Sequence, residues 1–405
     1  MIPVLTHMLV GLRMAVMDEI GMCGIDGTPA RSFCLKGYLP IKDNDRMKPH
    51  HCRPRSTVST LCSSLVRCCF SGSILTTQPQ VRTRALPALL AVIALAAGCG
   101  GIERSTVVKL GHGLDPSHPV HQAMQYMADY VREKSDGAFT IDVYPSEQLG
   151  SERECLELLQ IGSLGMTKVS TSALEGFVPS VKVLGIPYLF RDAAHESAVL
   201  GGPIGRELLL AGEPVWLRGL CFYDAGSRSF YTKQKPVLAP ADLKGVKVRT
   251  QESPMAMKMV RALGGSPTPI AWGELYTALQ QGVVDGAENN PPSFHISRHY
   301  EVCKYYALDE HTAVPDVLLI STIVWKSLTA AEQALLQEAA DASAVVQRTL
   351  WSEATERALD AVQQAGVQIL HPEKRLFTEE LQGFYEELRS DPEMYALFTR
   401  IRAVP

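Results

Sequence analysis

Between Thr329 and Ala365 the chain contains neither glycine nor proline. Thr329-Ala330-Ala331-Glu332 opens this stretch as a capping box, in which a hydroxyl and a carboxylate satisfy free backbone N–H groups at a helix start. Alanine, leucine, glutamate and glutamine dominate it, and all are strong helix formers. Leu336, Ala339, Leu350, Leu359 and Val362 mark an apolar face. At about 1.5 Å per residue, one continuous helix here is on the order of 50 Å long, longer than one small domain. The spacing predicts a single long helix that crosses two lobes; the alternative is two shorter helices joined at a polar kink.

The rest of the composition is that of a globular protein. Of 405 residues, 46% are hydrophobic and 20% charged, with a net charge of −4. That is enough apolar surface for a large core, and it excludes a disordered chain, a collagen and a polytopic membrane protein. Near-balanced charge argues against a general nucleic-acid binder, which shows a clustered basic excess.

The N-terminal part differs from the remainder of the chain. Residues 1–80 hold Cys23, Cys34, Cys52, Cys62, Cys68 and Cys69, six of the ten cysteines, but no sustained apolar period. Their spacing fits no zinc-site pattern, so no metal site is expected. Arg82 and Arg84 then precede an apolar run from Ala85 to Ala97, which ends in Leu95-Ala96-Ala97-Gly98-Cys99. A basic start, a short apolar run and small residues at the end make a secretory signal. The run is too short for a membrane-spanning helix, which needs about 20 apolar residues. We therefore expect a signal over 81–99, a start of translation near Val81, and a non-native or disordered extension over 1–80. Small residues before Cys99 resemble a lipobox, with Ala96 in place of the usual leucine. Lipidation there would anchor an otherwise periplasmic protein to the membrane. Cys155, Cys221 and Cys303 remain, too few and too scattered for a disulfide framework.

From residue 104 the pattern alternates strands and helices. Val107 to Leu110 reads as a strand. Ser117 caps a helix with apolar Val120, Met124, Met127 and Val131. Phe139, Ile141 and Val143 alternate as in a half-buried strand. A capping box at Ser151–Glu154 starts a helix that Gly162 stops, and Val181–Leu189 is a further apolar stretch. Later, Val246 and Val248 lead to Arg249 at a strand end. Met255–Leu263 and Trp272–Gln281 are helices, and Val283-Val284 a short strand. This order predicts an α/β protein of two sheet-containing lobes, with mixed sheets and flanking helices. Lobe I takes 104–226 plus 315–350, and lobe II 227–314 plus 351–405. Such folds bind ligands in the cleft at the carboxyl ends of strands.

No catalytic motif is present: no nucleophile elbow, no phosphate loop, no dinucleotide fingerprint, no zinc-protease signature. His112, His118 and His121 lie close together but read as polar or surface histidines. No cofactor is implied. Arg228, Arg249, Asn289 and Asn290 sit at strand ends beside short loops. A guanidinium so placed suits a bidentate grip on a carboxylate, and an adjacent amide can complete it.

Read together, these segments resemble one family. Lys244 to Thr250, Met259 to Gly265, Pro267 to Ile270 and Glu274 to Pro291 look like the solute-binding proteins of tripartite ATP-independent periplasmic (TRAP) transporters. Leu149 to Glu154, Ile186 to Phe190 and Gly226 to Arg228 agree. The resemblance runs collinearly over 105–405 and leaves out residues 1–80.

It implies a periplasmic-binding-protein fold whose two α/β lobes close on an organic acid. Arg249 matches the family's carboxylate clamp, Arg228 a second arginine, and Asn289 the completing amide. Trp272 matches an aromatic wall. His112, Glu152, Lys168, Glu252 and His311 fall in ligand-facing segments, and Asn290 lies beside the clamp. Acceptors and mixed donors opposite the clamp suit sugar hydroxyls, so a hexuronate or related sugar acid is the expected ligand. A keto-gulonate-like acid or a C4-dicarboxylate are the alternatives. The resemblance further implies a monomer, no catalysis, and delivery to membrane permease subunits. Two other classes would use the same two-lobed scaffold: a module that presents ligand to a sensor, and a lyase or isomerase using Glu152 and Lys168.

Overall fold

The structure, a computed structural model, describes residues 105–405. The expectations for 1–80, for the signal over 81–99 and for Cys99 lie outside the described residues.

Two sheets organise the molecule. In the first, β1 (Thr106–Gly111) pairs in parallel with β2 (Phe139–Tyr144) and β3 (Met166–Ser170). Helices α1 (Pro119–Lys134) and α2 (Glu152–Gln160) make the crossovers that parallel strands require. On the far side of β3, β10 (Asp316–Ser321) runs antiparallel and carries β4 (Leu217–Tyr223), giving the order β2-β1-β3-β10-β4. The second sheet has the order β11-β9-β5-β8-β6-β7. Its members are β5 (Ser227–Thr232), β6 (Lys247–Thr250), β7 (Ser266–Pro269), β8 (Gly286–Asn289), β9 (Tyr305–Ala313) and β11 (Gln368–Leu370). Both sheets mix parallel and antiparallel pairs, as a two-lobed α/β molecule allows.

Several local expectations change. The apolar stretch Val181–Leu189 begins within a 3-10 helix, Pro179–Gly185. The strand in this region is β3, whose five residues are all buried, so no polar alternation announces it. After Gly282 the strand is Gly286–Asn289 rather than Val283-Val284. Helix α1 is capped by His118, whose Nδ1 accepts from the Val120 N–H, while Ser117 donates to Asp115. Trp272–Glu274 is a 3-10 turn leading into α7 (Leu275–Gln281).

The long helix is continuous. It runs over Ala330–Gln364, 35 residues, and opens with the capping box at Thr329 and Glu332. We call it α10. Leu336, Ala339, Ala340, Ala344 and Trp351 share a core with α1 and the first sheet, whereas Val362 packs among residues of the second. The helix thus belongs to both lobes. Its buried face is not wholly the one read from the sequence. Leu350 and Leu359 are half-buried, and polar Ser343 and Gln347 lie inside. Ser343 Oγ meets the Tyr223 hydroxyl at 2.8 Å. The Gln347 amide accepts from the Asp224 N–H at 2.9 Å and donates to the Asp224 carbonyl at 2.7 Å.

Besides α10, the chain passes between the sheets after β4, at Asp224–Gly226, and after β9, at Val314-Pro315. Gly226 has φ +56, and a Cβ there would lie 2.9 Å from Trp351 Nε1. Only glycine suits that turn. The C-terminal helices Lys374–Glu380, Gln382–Leu388 and Pro392–Arg402 share one core with Leu156 and Val183 on one side and Phe230 and Val248 on the other.

Candidate functional site

The order β5-β8-β6 sets three polar residues side by side. Arg249 lies across from Ala287 in the parallel β6–β8 pair, and Ser229, next to Arg228, lies across from Asn289 in the antiparallel β5–β8 pair. Arg228, Arg249 and Asn289 all line one cleft, which is open to solvent. Leu114, Lys168 and Asp316 face them from the first lobe.

The two arginines differ in their electrostatics. Arg228 is already matched. Its Nε donates to a Glu288 carboxylate oxygen, Nη2 to the other oxygen at 2.9 Å, and Nη1 to Asn289 Oδ1 at 3.0 Å. Burial opposes the charge on both partners, yet Arg228 holds the Glu288 carboxyl down at about 2. His311 lies below Glu288, at an ion-pair distance of 3.6 Å, and its Nδ1 is 2.8 Å from Asp309. Burial disfavours its charge, but Asp309 and Glu288 prevail and raise its pKa to about 9.

Arg249 is 2% exposed and, among the described residues, has no carboxylate in ion-pair contact. Its Nε donates to the Ile270 carbonyl at 2.9 Å, its guanidinium carbon lies 5.8 Å from the Trp272 ring, and Nη1 has no hydrogen-bond partner. Burial pulls its pKa below the ordinary arginine value. A desolvated cation with an unused donor is a costly arrangement. A bound carboxylate would relieve it.

Asn289 and Asn290 are oriented by their neighbours. Asn289 Oδ1 accepts from Arg228 and from the Asn290 N–H at 2.9 Å, so its amide NH2 is the group left to donate. Asn290 caps the helix Pro291–Ile296 through its side-chain Oδ1, which accepts from the Ser293 N–H.

The opposite wall carries a second charge cluster. Lys168 Nζ lies 3.2 Å from Glu152 and 3.2 Å from Asp316. Burial works against the ammonium, but Asp316 and then Glu152 outweigh it and raise its pKa. Burial also raises the Asp316 carboxyl, which Lys168 offsets only in part. Glu152 Oε1 accepts the Ser170 N–H at 3.0 Å. One cation among two carboxylates is suited to reading neutral hydroxyls, since it presents both donors and acceptors.

Eight of the ten sequence-derived candidates meet at this cleft: Arg249, Arg228, Asn289, Asn290, Trp272, Glu152, Lys168 and Glu252. His112 and His311 do not reach its wall. The His112 ring is buried against His121 at 3.0 Å and accepts from the Leu114 N–H; burial and nearby Lys168 hold its pKa down at about 2. His311 supports Glu288 from beneath. Sequence reasoning missed His118, Ser170, Gln251, Asp316 and Trp351 as lining residues. Asp316 did leave a signal, a lone acid opening the apolar run Val317–Ile320.

The profile of bacterial extracellular solute-binding proteins, family 7, matches residues 110–391. The chain belongs to this family. It is a TRAP-type solute-binding protein, and the family is one of transporter binding proteins rather than enzymes, which removes the lyase or isomerase alternative. An uncharacterized protein YiiZ of Salmonella typhimurium is 36% identical, over 73% of this chain and 91% of its own. Among solved structures, a TRAP periplasmic solute-binding protein of a Bradyrhizobium species, in complex with D-galacturonate, is 41% identical with a TM-score of 0.71; the match covers 73% of this chain and 98% of that one. Another, from Pseudomonas putida F1 with bound D-glucuronate, is 34% identical with a TM-score of 0.71, over 74% and 97%. Among the described residues, no helix of this solute-binding protein is long and apolar enough to cross a membrane.

Proposed function

We propose that this solute-binding protein captures a hexuronate outside the cytoplasm and passes it to membrane permease subunits. The single observation that carries the reading is Arg249, buried, without a carboxylate partner, and with Nη1 unused. The ligand carboxylate takes that position, with the Asn289 amide as second donor. The sugar hydroxyls meet Lys168, Glu152 and Asp316. Arg228, neutralised by Glu288, orients Asn289 rather than gripping the acid directly. A dicarboxylate would need a second uncompensated cation opposite Arg249, and Lys168 is already flanked by two carboxylates. Uronate-bound relatives support the same choice. The lobes we assign are 104–226 with 315–350, and 227–314 with 351–405. Closure between them removes water and strengthens the charge-assisted bonds.

Calorimetry against D-galacturonate, D-glucuronate, a keto-gulonate and succinate tests the reading. The uronates should bind most tightly. Arg249→Ala should cost about 2–5 kcal/mol, roughly thirty-fold to several-thousand-fold in Kd. Unchanged uronate affinity in that variant, or preference for succinate, overturns the assignment.

A further inference from the structure

A contact outside the clamp joins the two lobes at the rim of the cleft. Glu147, in the loop after β2, belongs to the first lobe, and its Oε1 accepts the Gly273 N–H of the second at 3.1 Å. Gly273 follows Trp272, whose ring lies over the Arg249 guanidinium. Three features mark the contact as built. Ser146 and Glu147 both sit in the left-handed region, with φ of +54 and +57, a conformation that costs free energy in non-glycine residues. A Cβ on Gly273 would lie 2.2 Å from Glu147 Oε2, so only glycine leaves the carboxylate in place. A Cβ on Gly113 would lie 3.3 Å from Glu147 Cγ and 3.5 Å from Trp272 Cδ1, so the strand-end loop packs closely beside both.

We propose that Glu147 is a latch: its carboxylate on the Gly273 N–H holds the Trp272 loop against the first lobe and so sets how slowly ligand leaves. Glu147 need not touch the ligand. It acts through Trp272 and, beyond it, Arg249, as a positioning residue. The inference rests on the proposed ligand cleft, but one of its tests does not need the ligand.

The variants are Glu147→Ala, Glu147→Gln, Gly273→Ala and the double variant with both alanines. In stopped-flow measurements with D-galacturonate, Glu147→Ala should raise the dissociation rate about tenfold, the size of one hydrogen bond to a charged group, and leave the association rate within about twofold. Glu147→Gln keeps the acceptor and should fall between. Gly273→Ala displaces the carboxylate and should match Glu147→Ala, and the double variant should be no worse than either single one. Effects that multiply in the double variant, or a dissociation rate untouched by Glu147→Ala, overturn the latch. Hydrogen exchange at the Gly273 amide, followed with and without acid, separates this from the ligand assignment. It should quicken about tenfold in Glu147→Ala; equal exchange in both proteins overturns the latch whichever acid binds.

Discussion

At the scale of single residues, charge decides what the cleft can hold. Arg228 and Arg249 look alike in the sequence, each at a strand end, and both match clamp residues of the family. The fold separates them by one neighbour: Glu288 reaches Arg228 and not Arg249. No local spacing announces that difference, because Glu288 becomes a partner only when β5 and β8 pair. The same is true of His311, whose imidazolium is held between Asp309 and Glu288. This network makes a prediction about pH. The Glu288 pKa is depressed to about 2, so its stabilisation is present above the ordinary carboxylate pKa and is lost as pH falls from about 4.5 through about 2. The His311 pKa is raised to about 9, so its stabilisation is complete below about 6.5 and is lost as pH rises through about 9, a change of roughly 3 kcal/mol. Glu175 and Glu196, raised by burial to about 7 and about 8, slope in the same direction. The readout is therefore the difference between wild type and His311→Gln in urea melts from pH 6 to 9.5. The variant should be less stable at pH 6, and the gap should narrow toward pH 9.5. Parallel curves would sink the assignment of charge to His311.

At the scale of elements, the sequence is most informative where one signal repeats. The capping box and the unbroken run of helix formers place α10 to within a residue at each end. Strand β3 is invisible because it is buried on both faces, and β8 is misplaced because Val283-Val284 is more apolar than the Gly-Ala-Glu-Asn that actually pairs. The apolar face of α10 is only partly legible, since it uses Ser343 and Gln347 where leucine would be expected. These polar side chains serve the outer edge of β4, beyond which, among the described residues, no further strand pairs. Gln347 pairs with both backbone groups of Asp224, much as another strand would. Gln347→Leu conserves volume but leaves that N–H without its acceptor, so it should destabilise by about 1–3 kcal/mol. A chemical melt measures this, and a stability equal to wild type would mean that water replaces the amide there.

At the scale of the whole molecule, two lobes are legible because the strand–helix pattern restarts, and the cleft follows from where strands end. The assembly of the first sheet is not legible. Its order β2-β1-β3-β10-β4 places a late segment, Asp316–Ser321, between two early ones. Sequence distance gives no hint of that insertion, which only antiparallel pairing on both sides of β10 explains. A fragment of residues 105–314 should accordingly lack cooperative thermal unfolding, whereas residues 105–405 should unfold in one transition. A sharp melt from the shorter fragment would contradict this account. The late strand also bears on the order of assembly. Without Asp316–Ser321, β3 and β4 share no hydrogen-bonded neighbour in this sheet. The first sheet can therefore close only after strands β5 to β9 of the second are already available.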